Sequence, residues 1–214
     1  MIRRHISIFL SLLCTIIASA TNTSVRFLTG AEGLSNSSVN SVFRDSNGFM
    51  WFGTWDGVSC WNGRNFRVFT PDPSDSGSLC SSVIREIGED GEGCLWFSTD
   101  RGIDRYNPHQ DKFTHFFTEE GARSESEKSF HLCFDYGGVY ASVDGKGIYR
   151  YEDGAFTMIQ SYPWKIESFI VSAEHIPVVN TKDHMVVQGS GVILGENVRR
   201  LFRAGSYIII QKEG

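Results

Sequence analysis

The sequence has no excess of basic residues, and beyond its first twenty positions it has no long apolar run. It also lacks any cysteine or histidine spacing of the kind that holds a metal. Twenty lysines and arginines against 25 aspartates and glutamates leave a net charge of -5 and a pI near 5.7 over 214 residues. That balance argues against a nucleic-acid partner, which calls for a basic face or stripe. The apolar Tyr207 to Ile210 is only strand-sized, far short of a bilayer span. Past Cys14 the cysteines are Cys60, Cys80, Cys94 and Cys133, and the closest two, Cys80 and Cys94, stand fourteen apart with no paired ligand. They are expected to be buried free thiols, with two disulfides as the alternative. No serine or cysteine nucleophile has a placed His and Asp, and no carboxylate pair stands out, so neither a catalytic site nor a cofactor is read. His109, His115, His131, His175 and His184 show no ligand spacing and are expected at the surface or at sheet edges.

What is present begins with an export signal. Arg3 and Arg4 precede an apolar stretch that ends in Ala18-Ser19-Ala20, the pattern of a secretory signal peptide over 1–20 cut after Ala20. The stretch is shorter than a membrane anchor. Leu12 and Leu13 stand before Cys14 where a lipoprotein signal places small residues. Loss of Arg3 and Arg4 makes the mature chain still more acidic. A hydrophobic content of 41% with 21% charged residues marks a folded chain.

The chain repeats itself. The segment from Leu34 aligns with the segment from Leu79 at an offset of 45 residues, without a gap as far as Asn62 and Asn107. Asp45 stands over Asp90, Gly48 over Gly93, Trp51-Phe52 over Trp96-Phe97, Gly57-Val58 over Gly102-Ile103, and Trp61 over Tyr106. A third copy puts Tyr140 at the Trp96 position and Tyr151 at the Tyr106 position, with Gly145 inserted. In a fourth, degraded copy, Gly191-Val192 falls on Gly147-Ile148. Each copy reads as four short strands: Val39 to Phe43, a Ser-Asn-Gly hairpin, Phe49 to Thr54, Val58 to Trp61, and Phe66 to Thr70. Four strands in about 45 residues, repeated, is the pattern of an all-β propeller. A sandwich does not account for the fixed offset.

The expected divisions are an outer strand in 21–33, which would close the ring of a longer parent, and blades at 34–78, 79–123, 124–165 and 166–205. A further blade begins at 206–214. Three or four blades fall short of most closed rings, which take roughly 4–8, so the chain reads as a piece of a longer protein.

The blade pattern L-x-x-x-x-V-x-x-V-x-x-D-x-x-G-x-x-W-F-G-T-x-x-G-V resembles the two-component regulator propeller repeat, closely over Leu34–Phe69 and Leu79–Phe116 and loosely over Phe130–Ile159. That family supplies the periplasmic sensor of hybrid two-component histidine kinases. The resemblance therefore implies an inner-membrane parent with further propeller and β domains, a kinase core, and a response to polysaccharide breakdown products. It also implies a small carbohydrate as ligand, a possible homodimer, and membrane attachment only through the parent. The residues themselves show no phosphoacceptor helix or ATP lid, so no enzymatic activity is expected of this stretch.

Trp51, Trp61, Trp96, Tyr106, Tyr140 and Tyr151 recur and are expected to pack the blades. The links between second and third strands keep their glycine and vary otherwise: Trp55 and Asp56, then Asp100 and Arg101, then Asp144 and Lys146. Constant strands carrying variable links are how binding surfaces are built, so these six are the candidate ligand residues. The aromatic would stack on a sugar ring while the charged groups bond its hydroxyls. The turns Asp45 to Gly48 and Asp90 to Gly93 resemble calcium loops only faintly and lack the late bidentate glutamate. Two other readings stay open: a free-standing propeller enzyme, such as a lyase or glycan-processing protein, and a structural interaction module.

Overall fold

A computed structural model describes residues 27–119, 129–181, 186–189, 192–195, 198–204 and 207–212. The expected signal peptide and cleavage site, Val25 and Arg26 of the outer strand, Gly191 and His184 lie outside them. The first sheet holds β1 (Val39–Arg44), β2 (Met50–Thr54), β3 (Gly57–Trp61) and β4 (Phe66–Phe69). The second holds β5 (Ile84–Glu89), β6 (Leu95–Thr99), β7 (Ile103–Asn107) and β8 (Lys112–Phe116). In the third are β9 (Phe130–Asp135), β10 (Gly138–Val143), β11 (Gly147–Glu152) and β12 (Ala155–Ser161). The fourth holds β13 (Ile166–Val171), β14 (Pro177–Thr181), β15 (Val186–Gln188) and β16 (Val192–Gly195). A last pair, β17 (Val198–Ala204) and β18 (Tyr207–Lys212), forms a two-stranded sheet. Strands pair antiparallel in sequence order within every sheet. The first strands β1, β5, β9, β13 and β17 lie side by side in succession, so the sheets radiate from a common line as propeller blades do.

Side-chain alternation along each strand explains the stacking. Trp51 and Val58 of the first sheet meet Ile84, Phe97, Tyr106 and Phe113 of the second. Trp96, next to Phe97 and therefore on the opposite face, meets Phe130, Val139 and Ala141 of the third with Ile103. Tyr140 and Ile148 meet Ile166, Phe169 and Val179 of the fourth. Ile170 and Val178 meet Val198 of the fifth. Each middle sheet thus buries both faces, and β6 and β14 are buried along their whole length. The recurring aromatics are packing residues as the alignment implied, although Trp61 lies on the outer face of the first sheet, 4.8 Å from the Phe66 ring. Polar ties cross the same interfaces. Asn40 donates to the Ile84 carbonyl at 2.9 Å, Ser46 Oγ to Glu89 at 2.6 Å, and Leu132 N to Glu86 at 2.7 Å.

The structure differs from the sequence reading in two places. Phe27 to Thr29, expected as the end of an outer strand, lie outside any strand. Thr29 and Glu32 instead form a reciprocal capping box on a 3-10 turn, Gly30–Glu32, which bends the chain there. The fourth blade ends at Gly195 rather than 205, and Val192 opens its fourth strand, not its third. The reason is packing. Val198 is fully buried in the first-strand position that Ile84, Phe130 and Ile166 hold in the preceding sheets, so β17 begins a new unit.

The link glycine has a steric cause. A Cβ built on Gly102 (φ 157°) would lie 2.5 Å from the Phe116 carbonyl oxygen of the outer strand, and the equivalents at Gly57 and Gly147 would lie 2.2 and 2.0 Å from the Phe69 and Gln160 oxygens. Gly102→Ala is expected to cost about 2 kcal/mol or more in denaturant unfolding. Gly91→Ala, where a Cβ meets nothing within 4 Å, should leave the midpoint within error.

Candidate functional site

Antiparallel order puts the β2–β3, β6–β7 and β10–β11 links at one end of the sheets, together with the β4-to-β5 loop. All six candidate residues therefore share a face. Trp55 is 48% exposed, and one face of its ring carries the Arg85 guanidinium of the next blade at 5.0 Å. Asp56 is exposed and accepts a long 3.5 Å bond from Asn36 Nδ2. Asp100 accepts from Ser81 Oγ, and exposed Arg101 donates its backbone N–H to Thr99 Oγ1 at 3.0 Å. Asp144 is different. Its two oxygens accept the Ser129 N–H at 3.0 Å and the Ile166 N–H at 3.1 Å, tying the first strands of the third and fourth blades to its own link. The Lys146 carbonyl accepts from Tyr162 N and Ser161 Oγ. The link face thus offers Trp55, Asp56 and Arg101 most freely, with Asp144 committed to structure.

Elsewhere, polar side chains are largely spent on one another. Asp104 is fully buried, accepts the Cys80 N–H at 2.8 Å, and lies 2.7 Å from His115 Nδ1. The other ring nitrogen of His115 stands 3.0 Å from the Ser76 carbonyl. Carboxylate and carbonyl only accept, so both bonds are made together by a doubly protonated imidazole. Cys80, Asp104 and His115 lie close enough to bracket an ion, but burial and Asp104 push the Cys80 thiol pKa up, away from the thiolate that a metal needs. The second such group, Asp90, Glu92 and Cys94, has both carboxylates bonded to Arg105. His131 lies 2.7 Å from Glu86, and His175 Nδ1 lies 2.7 Å from the Tyr140 hydroxyl. These histidines were expected at the surface or at sheet edges; His115 does stand on the edge strand β8, while His131 and His175 bridge to a neighbouring blade. Cys60, Cys80, Cys94 and Cys133 are free thiols, with Cys94 and Cys133 buried as expected and Cys60 and Cys80 only half-buried.

At the opposite end of the sheets a cavity of about 330 Å³ opens between the first two blades, lined by Asp45, Trp51, Cys60, Asn62 and Tyr106 among others. Sequence reasoning sent attention to the variable links and passed over it. The available signal was Cys60, which stands where the next repeat has Arg105.

A family model described as "Two component regulator propeller" matches residues 33–56, which hold β1, its hairpin and β2. Residues 33–56 thus match a two component regulator propeller repeat. Other proteins show the same likeness. Histidine kinase P4 of Formosa agariphila is 35% identical over 81 residues, or 36% of this chain and 6% of that protein. The extracellular domain of a hybrid two component system from B. thetaiotaomicron (BT4673) superposes with a TM-score of 0.61 at 18% identity, covering 90% of this chain and 31% of that one. Catalytically inactive virginiamycin B lyase from Staphylococcus aureus superposes at 0.57 with 15% identity, covering 84% of this chain and 72% of that one. Identities this low speak for the fold alone. The propeller fold is thus common to a sensor domain and a lyase, and this chain spans under a third of the sensor domain and 6% of the histidine kinase.

Within the propeller, the His115–Asp104 pair makes stability depend on pH. The Asp104 hydrogen bond raises the His115 pKa above its ordinary 6.5. A raised folded-state value stabilises fully below the unfolded value and loses that stabilisation as pH climbs through the folded one. Thermal melting should therefore fall as pH rises above about 6.5, and His115→Gln should flatten that part of the profile.

Proposed function

We propose that this chain is the extracytoplasmic ligand-sensing module of a hybrid two-component sensor histidine kinase, responding to oligosaccharides or glycan breakdown products in the periplasm. The observation that carries the reading is the link face: rigid repeated strands present a different pair of residues from each blade at one end. Trp55 supplies an exposed ring, and Asp56 and Arg101 supply charged hydrogen-bonding groups around it. A pyranose has an apolar face for the indole and hydroxyls for the charges. Because Arg85 covers one side of Trp55, a sugar would stack on the other. Signalling in such a system passes to a kinase domain, so the role of these residues is recognition. A dimer of such chains, or the parent's further β domains, would relay occupancy. No helix among the described residues is long and apolar enough to cross a membrane.

The enzyme reading has the shared lyase fold behind it and needs a histidine with a carboxylate free to act. His131 and Glu86 are placed for that, but the second Glu86 oxygen is bonded to the Leu132 amide of the next blade. That favours a tie between blades over a proton shuttle.

A panel of plant and host oligosaccharides titrated by calorimetry tests the proposal. At least one should bind, and Trp55→Ala should weaken it about tenfold, the scale of one stacked ring. Binding unchanged in the variant would remove Trp55 from the site, and silence across the panel would sink the carbohydrate reading.

A further inference from the structure

The first two blade interfaces share an Asp-Trp-Tyr wall, with Asn47 standing where the second has Glu92, and differ in their contents. Between the second and third sheets, Arg105 of β7 fills the space, with only 16% of its side chain exposed. Its Nε lies 3.3 Å from Asp90 Oδ2, a terminal nitrogen lies 2.6 Å from Glu92, and its guanidinium carbon sits 5.6 Å from the ring centres of both Trp96 and Tyr151. Between the first and second sheets the repeat supplies Asp45 for Asp90, Trp51 for Trp96 and Tyr106 for Tyr151. Cys60 takes the place of the arginine and ends short, which leaves the cavity of about 330 Å³.

The carboxylate at its edge is short of one bond by comparison. Asp90 Oδ2 accepts from both the Trp96 indole and Arg105. Asp45 Oδ2 accepts the Trp51 indole at 2.7 Å, and no described residue donates to it from the Arg105 position. Asp45 is 6% exposed and lines the cavity, so the carboxylate meets the cavity more than bulk water. The chain's own nearby cation, Arg67, lines the cavity but is tied to its outer wall. It bonds both Asp111 oxygens at 2.6 and 2.8 Å, reaches the Tyr106 hydroxyl at 3.5 Å, and lies 4.5 Å over the Phe69 ring.

We propose that this cavity binds a small organic cation of the guanidinium class, whose charged group takes the place that Arg105 occupies one repeat on. Asp45 accepts its N–H groups, and Trp51 and Tyr106 supply the aromatic walls on which a flat, weakly hydrated cation rests. The volume lies at the lower end of small-molecule sites, suited to one compact ligand. This site lies at the opposite end of the sheets from Trp55 and is independent of the sugar-sensing proposal.

Methylguanidine and its neutral isostere methylurea, titrated into the full chain and followed by tryptophan fluorescence and calorimetry, test the inference. Methylguanidine should bind saturably and at least about tenfold more tightly than methylurea, since only the cation gains the charged bond and the ring contact. Cys60→Arg should abolish binding and raise the melting temperature, because the protein then supplies its own guanidinium. Should that variant fail to fold, Cys60→Leu, which fills the space without charge, must abolish binding in its place. Equal affinity for the two probes, no binding, or full binding by the filled variant overturns the proposal. Glucose binding that Cys60→Arg removes would also overturn the cation assignment while leaving sugar sensing intact.

Discussion

A carboxylate set into a hairpin turn holds the tryptophan on which each of the first two blade interfaces is built. Asp45 uses one oxygen to accept the Phe49 amide at 2.9 Å, closing the turn, and the other to accept the Trp51 indole N–H at 2.7 Å. Asp90 repeats the arrangement with Cys94 and Trp96 at 2.9 and 2.8 Å. A buried indole N–H without a partner costs roughly 1–3 kcal/mol, so the acid makes complete burial of the ring tolerable. With the ring fixed, the next sheet can pack on it: Phe97 and Tyr106 both lie 5.9 Å from Trp51. The third sheet solves the problem differently. Tyr140 turns its hydroxyl to His175 in the following blade, and Asp135 reaches forward to the Val171 amide. The motif weakens in sequence where the interface changes its chemistry.

Much of this architecture could be read from residues alone, because the repeat carries its own internal comparison. Two aligned copies separate what a blade needs, such as Trp51 and Gly57, from what it lets vary, such as Trp55. Where the comparison fades, so does the reading. The fourth unit has neither the Asp-Trp pair nor a link glycine in register, and its end is marked only by the burial of Val198, which opens the next sheet. That the six link residues share one end follows from strand order alone. The fate of Asp144 could not be read, because its partners Ser129 and Ile166 come together only once two blades have stacked.

The same blades serve a sensor domain and a lyase in the proteins this chain resembles, so architecture does not decide activity. What distinguishes this chain is local: an indole under an arginine at one end of the sheets, and a cysteine in an arginine's place at the other. Both stand out because the neighbouring repeat shows what else the position can hold.

The polar ties between sheets share a property that their chemistry does not require. Asn40 to Ile84, Ser46 to Glu89, Arg67 to Asp111 and Glu86 to His131 span 44, 43, 44 and 45 residues. Each of these ties reaches the next blade, as do the shorter spans from Tyr140 to His175 and from Asp135 to Val171. Cohesion is then a chain of nearest-neighbour terms, and each blade can dock as soon as the next one is available. Such a chain can also grow. A duplicated unit inserted between two others would find the same partners at the same separation, so blade number can change in evolution without any interface being redesigned.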